Sequence, residues 1–171
     1  MIDLSHKPPS KTTNMIVNAR GGSVFSRGTI LKSDHFPGCH KKELPYRTGA
    51  PNFRQVKGNI PIYGLGNPTV EGITSVLSTI DPVKNRNIIW ISLREEPVIF
   101  VNGSPFVLRE AAHPFRNMVY TGISGSRVNS MEERLKQEIE KESTKYEKHV
   151  LLHGEEGLYL IKRVRSVVAL A

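Results

Sequence analysis

Residues 88–109 constrain the fold more than any other stretch. They read IIWISL, then REE, then PVIFVNGSPFVLR. IIWISL is nearly continuous apolar sequence, the pattern of a strand buried on both faces, as in a parallel sheet under helices. In the second part, two runs rich in β-branched and aromatic residues flank Asn102-Gly103. That pair suits the positive φ angles of a type I′ turn, which predicts a β-hairpin over about 97–109. A strand buried on both faces needs helices to cover it. Residues 126–147 supply the clearest one: Val128, Met131, Leu135, Ile139, Glu142 and Tyr146 recur at steps of three and four, giving an apolar face with one polar member. Ser130 and Glu133 fit a capping box, with a start nearer Ser126 as the alternative.

Other elements follow the same logic. Asn67 is placed to cap a second helix with Pro68 in its first position, and Val70, Ile73, Leu77 and Ile80 then share a face until Asp81-Pro82 ends it. Turn formers crowd residues 15–60, with short strands expected at Thr29–Lys32 and Phe53–Val56. Val150–Leu152 reads as another buried strand. Strands and helices alternate, which argues for an α/β fold: a partial, mostly parallel sheet flanked by helices, with the hairpin attached. Residues 1–21 read as a disordered lead-in, 22–153 as the folded part and 154–171 as a divergent, basic and apolar tail.

The 171 residues suit one domain. No apolar run approaches the roughly 20 residues that span a bilayer, and the N-terminal residues lack a signal-peptide core. A single cysteine cannot close an internal disulfide, so the expected setting is the cytoplasm. The net charge of +8 is uneven: residues 1–60 carry ten basic and three acidic side chains. Such a basic third suits an anionic partner.

The stretch DHFPGCHKKELPYR holds that cysteine, Cys39. A phosphatase cysteine sits in a loop of inward-pointing backbone N–H groups, with an arginine six positions later gripping phosphate. Six positions after Cys39 stands Pro45, and HKKEL contains no glycine. Cys39 therefore reads as a loop residue without a catalytic role. His35, Cys39 and His40 lack a second spaced ligand pair for zinc, so no metal is expected. Gly64-Leu65-Gly66 lacks the third glycine of a dinucleotide fingerprint and reads as a turn. No cofactor is expected.

Six stretches in order carry a family resemblance: GTILKSDHFPGC, APNFRQV, PIYGLGNPTVEGI, IIWISLREEPVIFVNGSPFVLRE, YTGISGSRV and MEERLKQEI. Together they resemble the opening of a paladin-type module, of the cysteine-dependent phosphatase superfamily and similar to protein-tyrosine-phosphatase-like phytases. The resemblance runs from about Gly22 to His153. It implies an incomplete cysteine-phosphatase-like fold, with IIWISL as a core strand and LREEP near the carboxyl edge of the sheet, where open α/β sheets bind ligands. It also implies a Cys-x5-Arg loop and a general-acid aspartate downstream of the long helix, and these have no matching positions here. The expectation is a truncated product, inactive alone, with no catalytic residue carried over.

Lys32, Arg54 and Arg94 lie inside the matching stretches and are candidate anion-binding residues; Lys41 and Lys42 are looser candidates. The expected partner is a phosphorylated small molecule or protein. The alternative is a non-catalytic module gripping inositol phosphates, acidic lipid or RNA. Nucleic acid is disfavoured, because only Phe36, Tyr46 and Phe53 interleave with the basic cluster. Uncovered sheet edges also suit self-association.

Overall fold

Asn102 and Gly103 adopt φ of 52° and 79°, and they join strands β4 (Val98–Val101) and β5 (Ser104–Glu110) as the expected hairpin. The computed structural model describes residues 10–34, 47–154 and 157–169. In chain order the remaining elements are α1 (Ser10–Ala19), β1 (Thr29–Ser33), β2 (Arg54–Gln55), β3 (Tyr63–Gly64), α2 (Val70–Ile80), α3 (Gly125–Lys145), β6 (His149–His153), β7 (Tyr159–Arg163) and β8 (Val167–Ala169). The six-stranded sheet runs β7-β6-β1-β5-β4-β8, and β2 and β3 form a separate pair.

The fold is α/β, with a mixed sheet. The β1–β6 ladder is parallel, as a crossover through helices demands, and the other four ladders of the main sheet are antiparallel. The parallel share is thus smaller than expected, because the hairpin and the two strands after His153 add antiparallel partners. Residues 159–163 and 167–169, set apart as a tail by sequence, extend opposite edges of this sheet. Laid flat, those edges would stand five spacings of about 4.8 Å apart. Four Cα steps from Arg163 to Val167 reach only about 15 Å. The sheet is therefore curled, and α3 packs against β4, β6 and β8. Leu135 and Ile139 of α3 meet Leu31, Ile99, Val101, Phe106, Leu108, Val150 and Leu152 in the main core.

Period-two alternation sends neighbouring residues to the opposite face. There Ile30 and Leu151 pack on Val17 of α1, and Val98, Phe100 and Val107 form a third cluster. Helix α1 is a departure from the disordered lead-in. It is held by its buried residues Thr13 and Val17, which the polar composition of the segment conceals.

The largest correction concerns IIWISL. Residues 88–93 form no strand, and Ile89, Ile91 and Leu93 are 85%, 73% and 90% exposed. Both edges of β4 are occupied, by β5 and β8, so the run that leads into β4 has no place beside it in the sheet. Helix caps also shift. Thr69, not Asn67, caps α2 by accepting the Gly72 N–H, and Asn67 instead donates to Asp34. Ser124, not Ser130, caps α3. On α2 the buried stripe centres on Gly72 and Val76 and leaves Val70 46% exposed. Gly72 is required there: a Cβ would overlap the Gly49 carbonyl oxygen.

Candidate functional site

The hairpin register sets up a polar cluster. Val98 lies opposite Val107, so the same register carried outward brings Glu96 to Arg109. Arg109 Nη1 donates to Glu96 Oε2 at 2.6 Å and to the Leu108 carbonyl, and its Nη2 reaches Asn117 Oδ1 at 2.8 Å. Asp34 follows β1, and its N–H donates to the Pro105 carbonyl, which fixes its carboxylate beside the hairpin. Arg94 closes the cluster. Its Nη2 pairs with Glu96 Oε1 and lies 3.1 Å from Asp34 Oδ2, which also accepts from Asn67 Nδ2 at 2.9 Å.

Asp34, Glu96 and Arg109 are buried. Buried charges persist only when paired and hydrogen-bonded, and two carboxylates here face two guanidiniums. Arg94 alone reaches solvent, with its side chain 37% exposed. Its Nε and Nη1 make no hydrogen bond among the described residues. Arg94 borders a cleft of about 430 Å³ lined by residues 93–96 and 117–121. Tyr120, in the same wall, has its hydroxyl pKa raised by burial and then by the Glu96 charge, with Arg109 opposing. It stays protonated at neutral pH. The cleft thus offers a fixed guanidinium, in a wall that also holds Tyr120, whose hydroxyl donates to Met118 Sδ at 3.5 Å.

The other expected anion-binding residues lie elsewhere. Lys32 is buried in β1, where its Nζ donates to the Ser33 carbonyl and sits 5.4 Å from the Phe115 ring. It pairs in register with His153 of β6. Arg54 is exposed in β2, and its Nη1 donates to the Asn52 carbonyl at 2.9 Å. Lys41 and Lys42 fall outside the described residues, as do Cys39, His35 and His40. Of the three candidates among the described residues, Arg94 belongs to the cleft cluster, and Lys32 and Arg54 do not.

Sequence reasoning offered Glu96 only as one of three partners for Arg94, beside Glu95 and Glu110, and missed its pairing with Arg109 as well as Asn117 and Asn67. The signal for that pairing was present. A turn centred on Asn102-Gly103 sets Glu96 opposite Arg109. Asn67 and Asn117 carried no such signal, since their contacts come from chain folded over the hairpin. Among the described residues no group of three His, Cys, Asp or Glu side chains is placed to hold a metal ion, and no helix is long and apolar enough to cross a membrane.

Comparison with known proteins bears on this region. Residues 91–169 match the family model of PTP-like phytases, described as inositol hexakisphosphate. The match includes Arg94, Glu96 and Arg109, and it extends through β7 and β8. Paladin from Homo sapiens is 30% identical over 136 residues, which cover 68% of this chain and 16% of that protein. Paladin from Gallus gallus is 31% identical over 123 residues, 66% of this chain and 12% of the relative. Paladin from Danio rerio is 43% identical over 54 residues, 32% of this chain and 6% of the relative. The chain therefore aligns with less than a fifth of each of these relatives. No solved structure matches.

Proposed function

Because the chain belongs to the paladin-like proteins of the cysteine-dependent phosphatase superfamily, we propose that it holds a phosphorylated small molecule or protein at the Arg94 cleft and that these 171 residues alone do not hydrolyse it. Arg94 carries the reading. Asp34 and Glu96 fix Nη2 of its guanidinium, Nε and Nη1 make no hydrogen bond among the described residues, and the residue lines the cleft. A guanidinium held in place loses less freedom when it grips phosphate oxygens. Absence of turnover rests on the sequence, in which Cys39 has Pro45 and no arginine at the sixth position. Cytoplasmic residence belongs to the same proposal, on the evidence of a single thiol without an internal partner.

The test measures phosphate release from an aryl phosphate and from inositol hexakisphosphate, with calorimetric binding of the latter to wild type, Arg94→Ala and Cys39→Ser. The expected result is no release, measurable binding, and at least tenfold weaker binding in Arg94→Ala alone. Turnover that disappears in Cys39→Ser would overturn the proposal. A second reading, a general polyanion-binding surface, is favoured by the ten basic and three acidic residues of positions 1–60. It predicts that Lys41→Ala/Lys42→Ala weakens binding more than Arg94→Ala does. Affinity should then fall steeply with salt, and dependence on base identity would single out RNA.

A further inference from the structure

Residues 82–95 form the longest unbroken exposed stretch among the described residues, and its centre has the wrong composition for one. Within IIWISL, Ile89, Ile91 and Leu93 are 85%, 73% and 90% exposed, while Ile88 and Trp90 between them are 41% and 43% exposed. That alternation is the period of an extended chain. Among the described residues, 87–93 make no backbone–backbone hydrogen bond. Six residues of high β propensity thus present unpaired N–H and C=O groups and apolar side chains together, which is the template for strand addition.

The flanks indicate what pairs with it. Lys84 and Arg86 precede the run, and Glu95 follows it. These side chains are exposed, and none makes a hydrogen bond or ion pair among the described residues. Two copies laid antiparallel, with Ile88 opposite Leu93 and Trp90 opposite Ile91, set Arg86 of each copy opposite Glu95 of the other. A slip of one residue in one direction sets Arg86 against Arg94, a like-charge contact. A parallel arrangement in register sets Arg86 on Arg86 and Glu95 on Glu95. Cross-strand charge pairs of opposite sign stabilise and like charges destabilise. The pattern therefore favours one arrangement, antiparallel and two-fold symmetric, in which the same patch serves both partners.

We propose that residues 86–95 are a self-complementary pairing segment, through which a second copy of this chain adds an antiparallel strand and covers IIWISL. The contact lies on the segment before β4, not on the β7 or β8 edge of the sheet. It yields a closed dimer, because each copy offers one such strand with one charge-matched register. The last residues of the segment, Leu93, Arg94 and Glu95, also line the Arg94 cleft.

Sedimentation velocity of the 171-residue chain in reducing buffer, from low micromolar to high micromolar concentration, tests this. The expected result is a monomer–dimer equilibrium. Arg86→Glu and Glu95→Arg, made singly, place two like-charge contacts in the dimer and should each weaken it by about tenfold or more. The double reversal restores opposite charges and should recover the dimer. Both side chains are exposed, so all three variants should melt as wild type does when diluted to the monomer. A chain that stays monomeric throughout, a dimer indifferent to the single reversals, a double variant without recovery, or open-ended aggregates in place of a dimer would each overturn the proposal.

Discussion

Two regions rest on opposite terms. The segment entering β1 is anchored by polar groups with their partners in place. Arg20, its side chain fully buried, donates to both Glu142 oxygens and to the Thr29 and Leu151 carbonyls, and lies over the Phe25 ring at 3.8 Å. Three residues on, the backbone N–H groups of Ser23, Val24 and Phe25 converge on the Glu138 carboxylate of α3 at 2.7–3.1 Å. The segment entering β4 has the reverse character: apolar side chains in water and backbone without partners. Polarity is thus a poor guide to order here. The charged residues fix the chain because each has a partner, and the hydrophobic run lies exposed without one among the described residues.

The comparison is broken most severely at Arg20. Arg20→Ala leaves Glu142 buried without its cation, together with two carbonyls. Removing one partner of a buried ion pair costs about 3–5 kcal/mol, a large part of a small domain's stability. Urea denaturation should show the midpoint collapse, and a change under 1 kcal/mol would mean that the pair is not buried as described. Gly72→Ala comes next. Alanine should strengthen a helix by up to about 1 kcal/mol, yet here its methyl meets the Gly49 carbonyl oxygen. A net loss of about 1–3 kcal/mol is expected from the forced shift, and a raised melting temperature would show that the 49–72 contact can open.

These sites also show how much was legible from sequence. The hairpin, the apolar face of α3 and the β1 and β6 strands came from periodicity and turn chemistry, both local properties. Glu142 was seen as the polar member of an apolar face, but its partner Arg20 lies 122 positions away, and no local rule reaches that far. Gly72 was read only as a weak helix former, since its close approach to Gly49 exists only after folding. IIWISL failed for a related reason. Its propensity was read correctly, but a strand also needs a neighbour, and the edges of β4 are taken by its hairpin partner β5 and by β8, from the stretch the sequence had set apart. At the cleft, Arg94 was picked from its motif, while the two carboxylates that fix it come from its own segment, at Glu96, and from the end of β1, at Asp34.

Acid sharpens the comparison, because it acts on the anchored region. Burial raises the Glu138 pKa, but the hydrogen bonds from Phe25, Ser23 and Val24, with the Ser23 hydroxyl, outweigh it and hold the carboxyl below its ordinary value. Its contribution is complete above the unfolded carboxylate pKa of about 4.3 and is lost as pH falls through the folded value. His153 works in a higher window. Burial lowers its pKa, the Lys32 charge adds to this, and the Gly154 backbone opposes it. The unfolded chain therefore takes up a proton that the folded chain refuses, and stability declines as pH drops below about 6.5. Denaturation midpoints should fall in two steps, and His153→Gln should flatten the upper one while leaving the lower one in place. An unchanged upper step would assign it to another group.

The smallest effect is expected where hydrophobic substitution is usually most damaging. Ile89 is 85% exposed in the monomer, so Ile89→Ser removes almost no buried surface. Exposed substitutions away from special features stay within about 0.5 kcal/mol. At concentrations too low for pairing, the Ile89→Ser melt should overlay that of wild type, in contrast to Ile99→Ser, a fully buried residue of β4 whose hydroxyl would meet only apolar neighbours. At concentrations where two chains meet, Ile89→Ser should lose the dimer while keeping the monomer's stability. A large loss in the dilute monomer would mean that IIWISL is packed inside the chain, and the contrast between the two segments would fail at its weaker end.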